Sequence, residues 1–131
     1  MNLEIIKIAS DTSNLKKLLN YTHSAKMKNP MCGDEIVFKL KINKKTIEKI
    51  CYEGKFCVYC QASAETLSKI FTKKEKKNIT SSLRSLIDLE KFESTNNNKK
   101  LAKIFNSKNL KRKECIYLPV STLMKALNID N

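Results

Sequence analysis

Asn29-Pro30-Met31-Cys32-Gly33-Asp34, running on into Glu35-Ile36-Val37-Phe38-Lys39-Leu40-Lys41-Ile42, decides the fold. Ile36, Phe38, Leu40 and Ile42 alternate with Val37, Lys39 and Lys41, the pattern of a strand buried on one face. Pro30 disfavours the helical region for Asn29, so the polar stretch from Asn20 to Lys28 is extended by its end. The protein has two glycines, Gly33 and Gly54, each within a few residues of a cysteine. Glycine permits positive φ and close backbone approach, and both are read as shaping tight turns around thiols. Cys32 and Asp34 flank Gly33, which puts two metal-type ligands on one turn and makes it half of a metal site.

After Asn43-Lys44-Lys45, a short turn, Thr46, Ile47, Ile50 and Tyr52 form a second strand. The short connection makes it antiparallel to the first. Leu3 to Ile8, then Leu15, Leu18 and Leu19, carry helical spacing, so 1–20 is expected to be a helical segment broken near Ser10-Asp11-Thr12-Ser13. Downstream, Ala62, Ala64, Leu67, Ile70 and Phe71 predict a helix running from Cys57 to about Thr72. Leu83, Leu86, Ile87 and Leu89 predict another. Ser94 to Asn98 is asparagine-rich and reads as a loop, Leu101 to Phe105 as a short helix. A last helix follows Cys115, with Pro119 in its first turn. The expectation is one domain over 1–131, with the sheet at 24–53 and a helical part at 57–131. The fold class is α+β: a small antiparallel sheet of about three strands with helices packed on one face.

The net charge is +13, from 26 Lys+Arg against 13 Asp+Glu. Such a balance attracts anionic partners, nucleic acid or an acidic protein face, and is equally the mark of a lysine-rich solvated surface. Arg84 and Arg112 are the only arginines, whereas base recognition favours arginine forks. Aromatic residues are not interleaved with the runs Lys73–Lys77 and Lys108–Lys113 as a stacking platform requires. A zinc-stabilised nucleic-acid-binding module is therefore the weakest reading. No apolar run is long enough to span a membrane, and Met1-Asn2-Leu3-Glu4 does not open a signal peptide. A cytoplasmic setting is expected, where disulfides rarely persist and five cysteines point to metal or thiol chemistry.

The thiols are Cys32, Cys51, Cys57, Cys60 and Cys115, with His23 the only histidine. Only Cys57-Val58-Tyr59-Cys60 has zinc-knuckle spacing, and a structural finger needs two such pairs. Cys57 and Cys115 both open helical segments, where the positive helix end stabilises thiolates. Cys32, Cys57, Cys115 and Asp34 together would make a tetrahedral zinc site. Cys51 reads as packing within a strand. Cys60 is either a buried small residue or a spare ligand or relay thiol. His23 reads as a surface or hydrogen-bonded histidine.

Three segments carry a family resemblance. Asn29-Pro30-Met31-Cys32-Gly33-Asp34-Glu35-Ile36 resembles the NP-x-CGD-x-I segment of the IscU/NifU/SufU iron–sulfur cluster assembly family. Tyr52-Glu53-Gly54-Lys55-Phe56-Cys57-Val58-Tyr59-Cys60-Gln61-Ala62-Ser63-Ala64 resembles its FEG-x-G-C-x-I-S-x-A-S-A, and Arg112-Lys113-Glu114-Cys115-Ile116-Tyr117-Leu118 its R-x-x-C-x-x-L. The order agrees from about Asn29 to Leu127. The long gap between Cys57 and Cys115, Glu114 in place of the IscU histidine and the absence of an LPPVK segment all favour the SufU type. Cys60 stands where the family has serine, Phe56 where it has glycine, and the DHY-x-NP motif is missing.

The resemblance implies an IscU/NifU N-terminal-like fold, with Cys32, Asp34, Cys57 and Cys115 as metal ligands and zinc as the ion. It implies a sulfur-transfer role. A pyridoxal-phosphate cysteine desulfurase of the SufS type would pass persulfide sulfur to Cys32, for later use by downstream iron–sulfur assembly proteins. Gly33 is then the hinge that lets Cys32 leave the metal while Asp34 stays. Arg112 matches a family arginine that contacts the desulfurase or steadies the site. The alternative is a scaffold holding iron or a [2Fe–2S] cluster on the same ligands.

Overall fold

A computed structural model describes residues 2–88, 92 and 98–129. Leu89 of the predicted helical stripe and most of the predicted 94–98 loop lie outside the described residues. The element order is α1 (Leu3–Ala9), β1 (His23–Lys28), β2 (Glu35–Asn43), β3 (Thr46–Lys55), α2 (Val58–Phe71), α3 (Lys76–Ile87), α4 (Lys99–Ala102), a 3-10 segment (Ser107–Arg112) and α5 (Lys113–Ala126).

The three strands form one antiparallel sheet in the order β1-β2-β3. The alternation in β2 is realised: Ile36, Phe38 and Leu40 are buried, and Val37, Lys39 and Lys41 face the other way. Cross-strand pairing aligns Ala25 and Tyr52 with Phe38, and Ile50 with Leu40, on the same face. Lys41 opposes Lys49 while Ile42 opposes Ile47, so Glu48 is bulged out. The bulge turns Ile47 inward where simple alternation would have turned it out. Lys44 closes the β2–β3 hairpin at φ 59°, a left-handed conformation that two-residue hairpin loops demand.

The buried face is covered by α2 and α5: α5 packs on β1 and β2, and α2 packs on β3, α1 and α5. This is the α+β architecture read from the sequence. Because α2 has neighbours on several sides, its burial extends nearly all round, from Tyr59 to Phe71, and its small residues follow from that. Ser63 donates to the Ile116 carbonyl at 2.7 Å and ties α2 to α5.

Three expectations are corrected. The N-terminal helix stops at Ala9, with Leu19 86% exposed. Asp11 accepts from the Ser13 amide at 3.0 Å and from its hydroxyl at 2.5 Å, a local turn that competes with helix. The chain then runs beside β3, where Lys16 donates to the Tyr52 carbonyl and the Tyr52 amide to Asn14. Gly54 is no turn residue; it lies within β3 opposite Ile36. A Cβ there would stand 2.1 Å from the Glu35 carbonyl oxygen, so glycine serves strand approach. Finally, α5 begins at Lys113, directly off the 3-10 segment, so Pro119 is inside the helix and cannot donate to the Cys115 carbonyl.

Candidate metal centre

The six residues Asn29–Asp34 link β1 to β2, since Lys28 pairs with Glu35. The Asn29 amide donates to the Asp34 carbonyl at 2.8 Å, and the Gly33 amide to the Asn29 carbonyl at 2.8 Å. The Asn29 side chain accepts from the Met31 amide at 2.9 Å. Asn29 is buried, and it clamps the loop through backbone and side chain at once. Gly33 takes φ 78°, which seats Cys32 and Asp34 on opposite sides of a left-handed residue.

The loop meets the starts of two helices. Cys57 is the N-cap of α2, and Cys115 is in the first turn of α5. The ligand atoms of Cys32, Asp34 and Cys115 all lie within 4.8 Å of one another. Cys57 does not share that mutual spacing. Its backbone amide donates to Asp34 Oδ1 at 3.2 Å, and its thiol is near enough to act on that of Cys115. Three of the four sequence-predicted ligands thus converge directly, and the fourth is tied to Asp34 through its backbone amide.

Burial differs sharply across the cluster. Asp34 is 7% exposed and Cys115 4%, whereas Cys32 is exposed. The Oδ2 atom of Asp34 is buried and has no hydrogen-bond partner among the described residues. A buried carboxylate oxygen left without a partner carries a large desolvation cost. A divalent cation held by thiolates and one carboxylate would offset it. Burial first, then the neighbouring Cys57 thiol and the charges of Cys32 and Asp34, push the Cys115 thiol well above the usual range. A bound cation reverses that balance and favours the thiolate. The donor set of Cys32, Asp34 and Cys115, with Cys57 adjoining, therefore fits a metal ion.

Cys60 lies on α2 and is fully buried. Burial raises its thiol, followed by the charges of Asp34, Cys57, Cys115 and Cys32, but its sulfur is not among the ligand atoms that lie within 4.8 Å of one another. Arg112 lies over the Tyr59 ring at 5.2 Å, joining the start of α5 to the start of α2. Cys51 is buried at a strand position facing away from α2 and α5, and lies outside the cluster. His23 opens β1 at the end remote from the loop and contacts Thr22 Oγ1 at 2.8 Å.

The sequence reading passed over Glu65. This 1%-exposed carboxylate on α2 accepts from the Tyr52 hydroxyl at 2.7 Å, the Asn14 amide at 3.2 Å and Asn14 Nδ2 at 2.7 Å. It fastens the N-terminal segment to the sheet and helix. The signal was present: Glu65 is the only acidic residue of α2, set among Ala62, Ser63, Ala64 and Leu67.

The NifU-like N-terminal domain family matches residues 10–127, and the chain belongs to it, within the IscU/NifU/SufU group that the three cysteine segments resemble. Solved structures agree in fold. A candidate iron–sulfur cluster assembly scaffold protein for the SUF system from Fervidobacterium islandicum AW-1 superposes with a TM-score of 0.79 at 20% identity, covering 97% of this chain and 96% of that one. The N-terminal part of a nitrogen-fixing NifU-like protein from Brucella abortus gives 0.82 at 14% identity, covering 97% and 91%. A hypothetical protein gives 0.71 at 21% identity, covering 98% and 99%. No curated protein matches the sequence. Among the described residues, no helix is long and apolar enough to cross a membrane.

Proposed function

We propose that this protein is a zinc-binding sulfur acceptor of iron–sulfur cluster biogenesis, charged by a cysteine desulfurase of the SufS type. The observation that carries the reading is the exposed thiol of Cys32 beside buried Asp34 and Cys115, with Cys57 half-buried. Asp34, Cys57 and Cys115 would hold the ion while Cys32 meets the partner. Zinc would stabilise thiolates in a site whose burial disfavours them.

The chemistry is an exchange between sulfurs. The Cys32 thiolate attacks the outer sulfur of the desulfurase persulfide. A new S–S bond forms on Cys32, the enzyme's S–S bond breaks, and the enzyme cysteine leaves as thiolate. Electrons balance without an external oxidant. Gly33, between Cys32 and Asp34, has φ 78° and no atom within 4 Å of where a Cβ would stand, so this point of the loop is open on its outer side.

The test is desulfurase turnover with and without the protein. Cys32→Ala is expected to abolish stimulation while leaving the fold intact. Stimulation equal to that of the unaltered protein would remove Cys32 from the acceptor role.

A second reading is a scaffold for a [2Fe–2S] cluster on the same donors, favoured by the three thiols around one loop and by the structural likeness to a candidate assembly scaffold. Anaerobic reconstitution followed by transfer to an apo-ferredoxin separates the two. Zinc that iron cannot displace counts against the scaffold.

A further inference from the structure

Two adjoining clefts lie along α1, and none of Cys32, Asp34, Cys57 and Cys115 lines either of them. The first has a volume of about 510 Å³ and is walled by α1, α2 and the start of α4. Leu3 and Ile8 give it apolar surface, and Leu3 is 80% exposed. Thr66 on its wall is 6% exposed, and its hydroxyl has no hydrogen-bond partner among the described residues. The second cleft, of about 530 Å³, continues past α4 to the start of the 3-10 segment and shares Glu4 and Lys103 with the first. Apart from Ala102 its lining is polar.

The carboxylates of both clefts are already engaged. Asp11 pairs with Lys69, Glu4 pairs with Lys103 at 3.5 Å, and Glu65 accepts from Tyr52 and Asn14. Lys7 and Lys100 in the first cleft, and Lys99 and Lys108 in the second, have no ion pair among the described residues. An uncompensated positive field thus covers an apolar hollow and the polar one beside it, and such a field concentrates anions. Each hollow is of the size that small-molecule sites have, and the first has their character, apolar walls with a few polar groups. We propose that the two clefts form one binding site for a small amphipathic anion. Its apolar body lies in the first cleft, and its phosphate or carboxylate head lies in the second with Lys99 and Lys108 as counter-ions. Covering Leu3 and Ile8 removes apolar surface from water, and Thr66 has a free hydroxyl for an acceptor atom on the body. A bare anion lacks the body, and a neutral amphiphile lacks the head.

Octyl phosphate, below its micelle concentration, is the probe. Calorimetric titration into the whole chain gives affinity and stoichiometry, and amide shifts of the nitrogen-15-labelled protein locate the ligand. The expected result is one octyl phosphate per chain, with shifts confined to α1, the second half of α2 and the stretch from Lys99 to Lys108. Inorganic phosphate and octanol should each bind at least about tenfold more weakly. Lys99→Glu/Lys108→Glu should weaken octyl phosphate roughly tenfold, and Leu3→Glu should weaken it as well. Lys28→Glu/Lys45→Glu makes the same change of charge at exposed positions that line neither cleft, and should leave the affinity within about twofold. The substituted side chains are all exposed, and circular dichroism checks each fold. No saturable binding, equal affinity for octyl phosphate and inorganic phosphate, equal weakening in the two charge-reversed proteins, or shifts spread over the whole surface would each overturn the site.

Discussion

Gly54→Ala tests how the site is held. Gly54 has φ 146°, a conformation that residues with a Cβ rarely adopt. The added methyl carbon would stand 2.1 Å from the Glu35 carbonyl oxygen, 3.0 Å from its carbonyl carbon and 3.1 Å from the Ile36 Cα. All three are backbone atoms of the neighbouring strand and cannot rotate away. Backbone strain of this kind costs about 1–3 kcal/mol, and forcing strands apart in a packed core about 1–3 kcal/mol more. A total near 4 kcal/mol is expected. Gly33→Ala is the control: it also has positive φ, at 78°, but no atom within 4 Å of the new carbon. It should cost only about 1–2 kcal/mol. Urea denaturation followed by circular dichroism measures both, since the chain has no tryptophan to report by fluorescence. Because Glu35 adjoins Asp34, Gly54→Ala should also loosen metal retention. A Gly54→Ala protein no less stable than Gly33→Ala would refute the close-approach reasoning.

Two further outcomes follow from local geometry. Tyr52→Phe removes the 2.7 Å hydrogen bond to buried Glu65 and should lower stability by about 1.5–3 kcal/mol in the same denaturation assay. Burial first, then that bond and the Glu65 charge, raise the Tyr52 hydroxyl above the usual tyrosine range. The folded chain therefore keeps this proton where the unfolded chain loses it, and stability falls as pH rises above about 10, by up to about 1.4 kcal/mol per pH unit from this group. Tyr52→Phe removes that component of the slope. Lys44→Gly relieves the left-handed lysine at φ 59° in the β2–β3 turn and should raise stability by about 1 kcal/mol. An unchanged denaturation midpoint would mean that the hairpin loop stores no strain.

What could be read from the sequence divides by physical cause. The alternation from Ile36 to Ile42 is local, so β2, its hairpin partner and the buried face were legible. The three cysteine segments are likewise local, and they named Cys32, Asp34 and Cys115 before any coordinate brought them together. The failures are non-local. Leu15, Leu18 and Leu19 have helical spacing, but the Asp11 turn and pairing with Tyr52 override it. Gly54 looked like a turn residue because the carbonyl it accommodates belongs to another strand. Glu65 drew no notice because its partners, Tyr52 and Asn14, are distant in the chain. Pro119 fell inside a helix because the preceding 3-10 segment starts α5 early.

The central claim is that the loop from Asn29 to Asp34 and two helix starts hold a zinc ion. Elemental analysis of the purified protein and of its Asp34→Ala variant tests it most directly. The account predicts about one zinc per chain in the unaltered protein and loss of that zinc to a mild chelator in the variant. No stoichiometric metal in the unaltered protein, or zinc held equally well without Asp34, would contradict it.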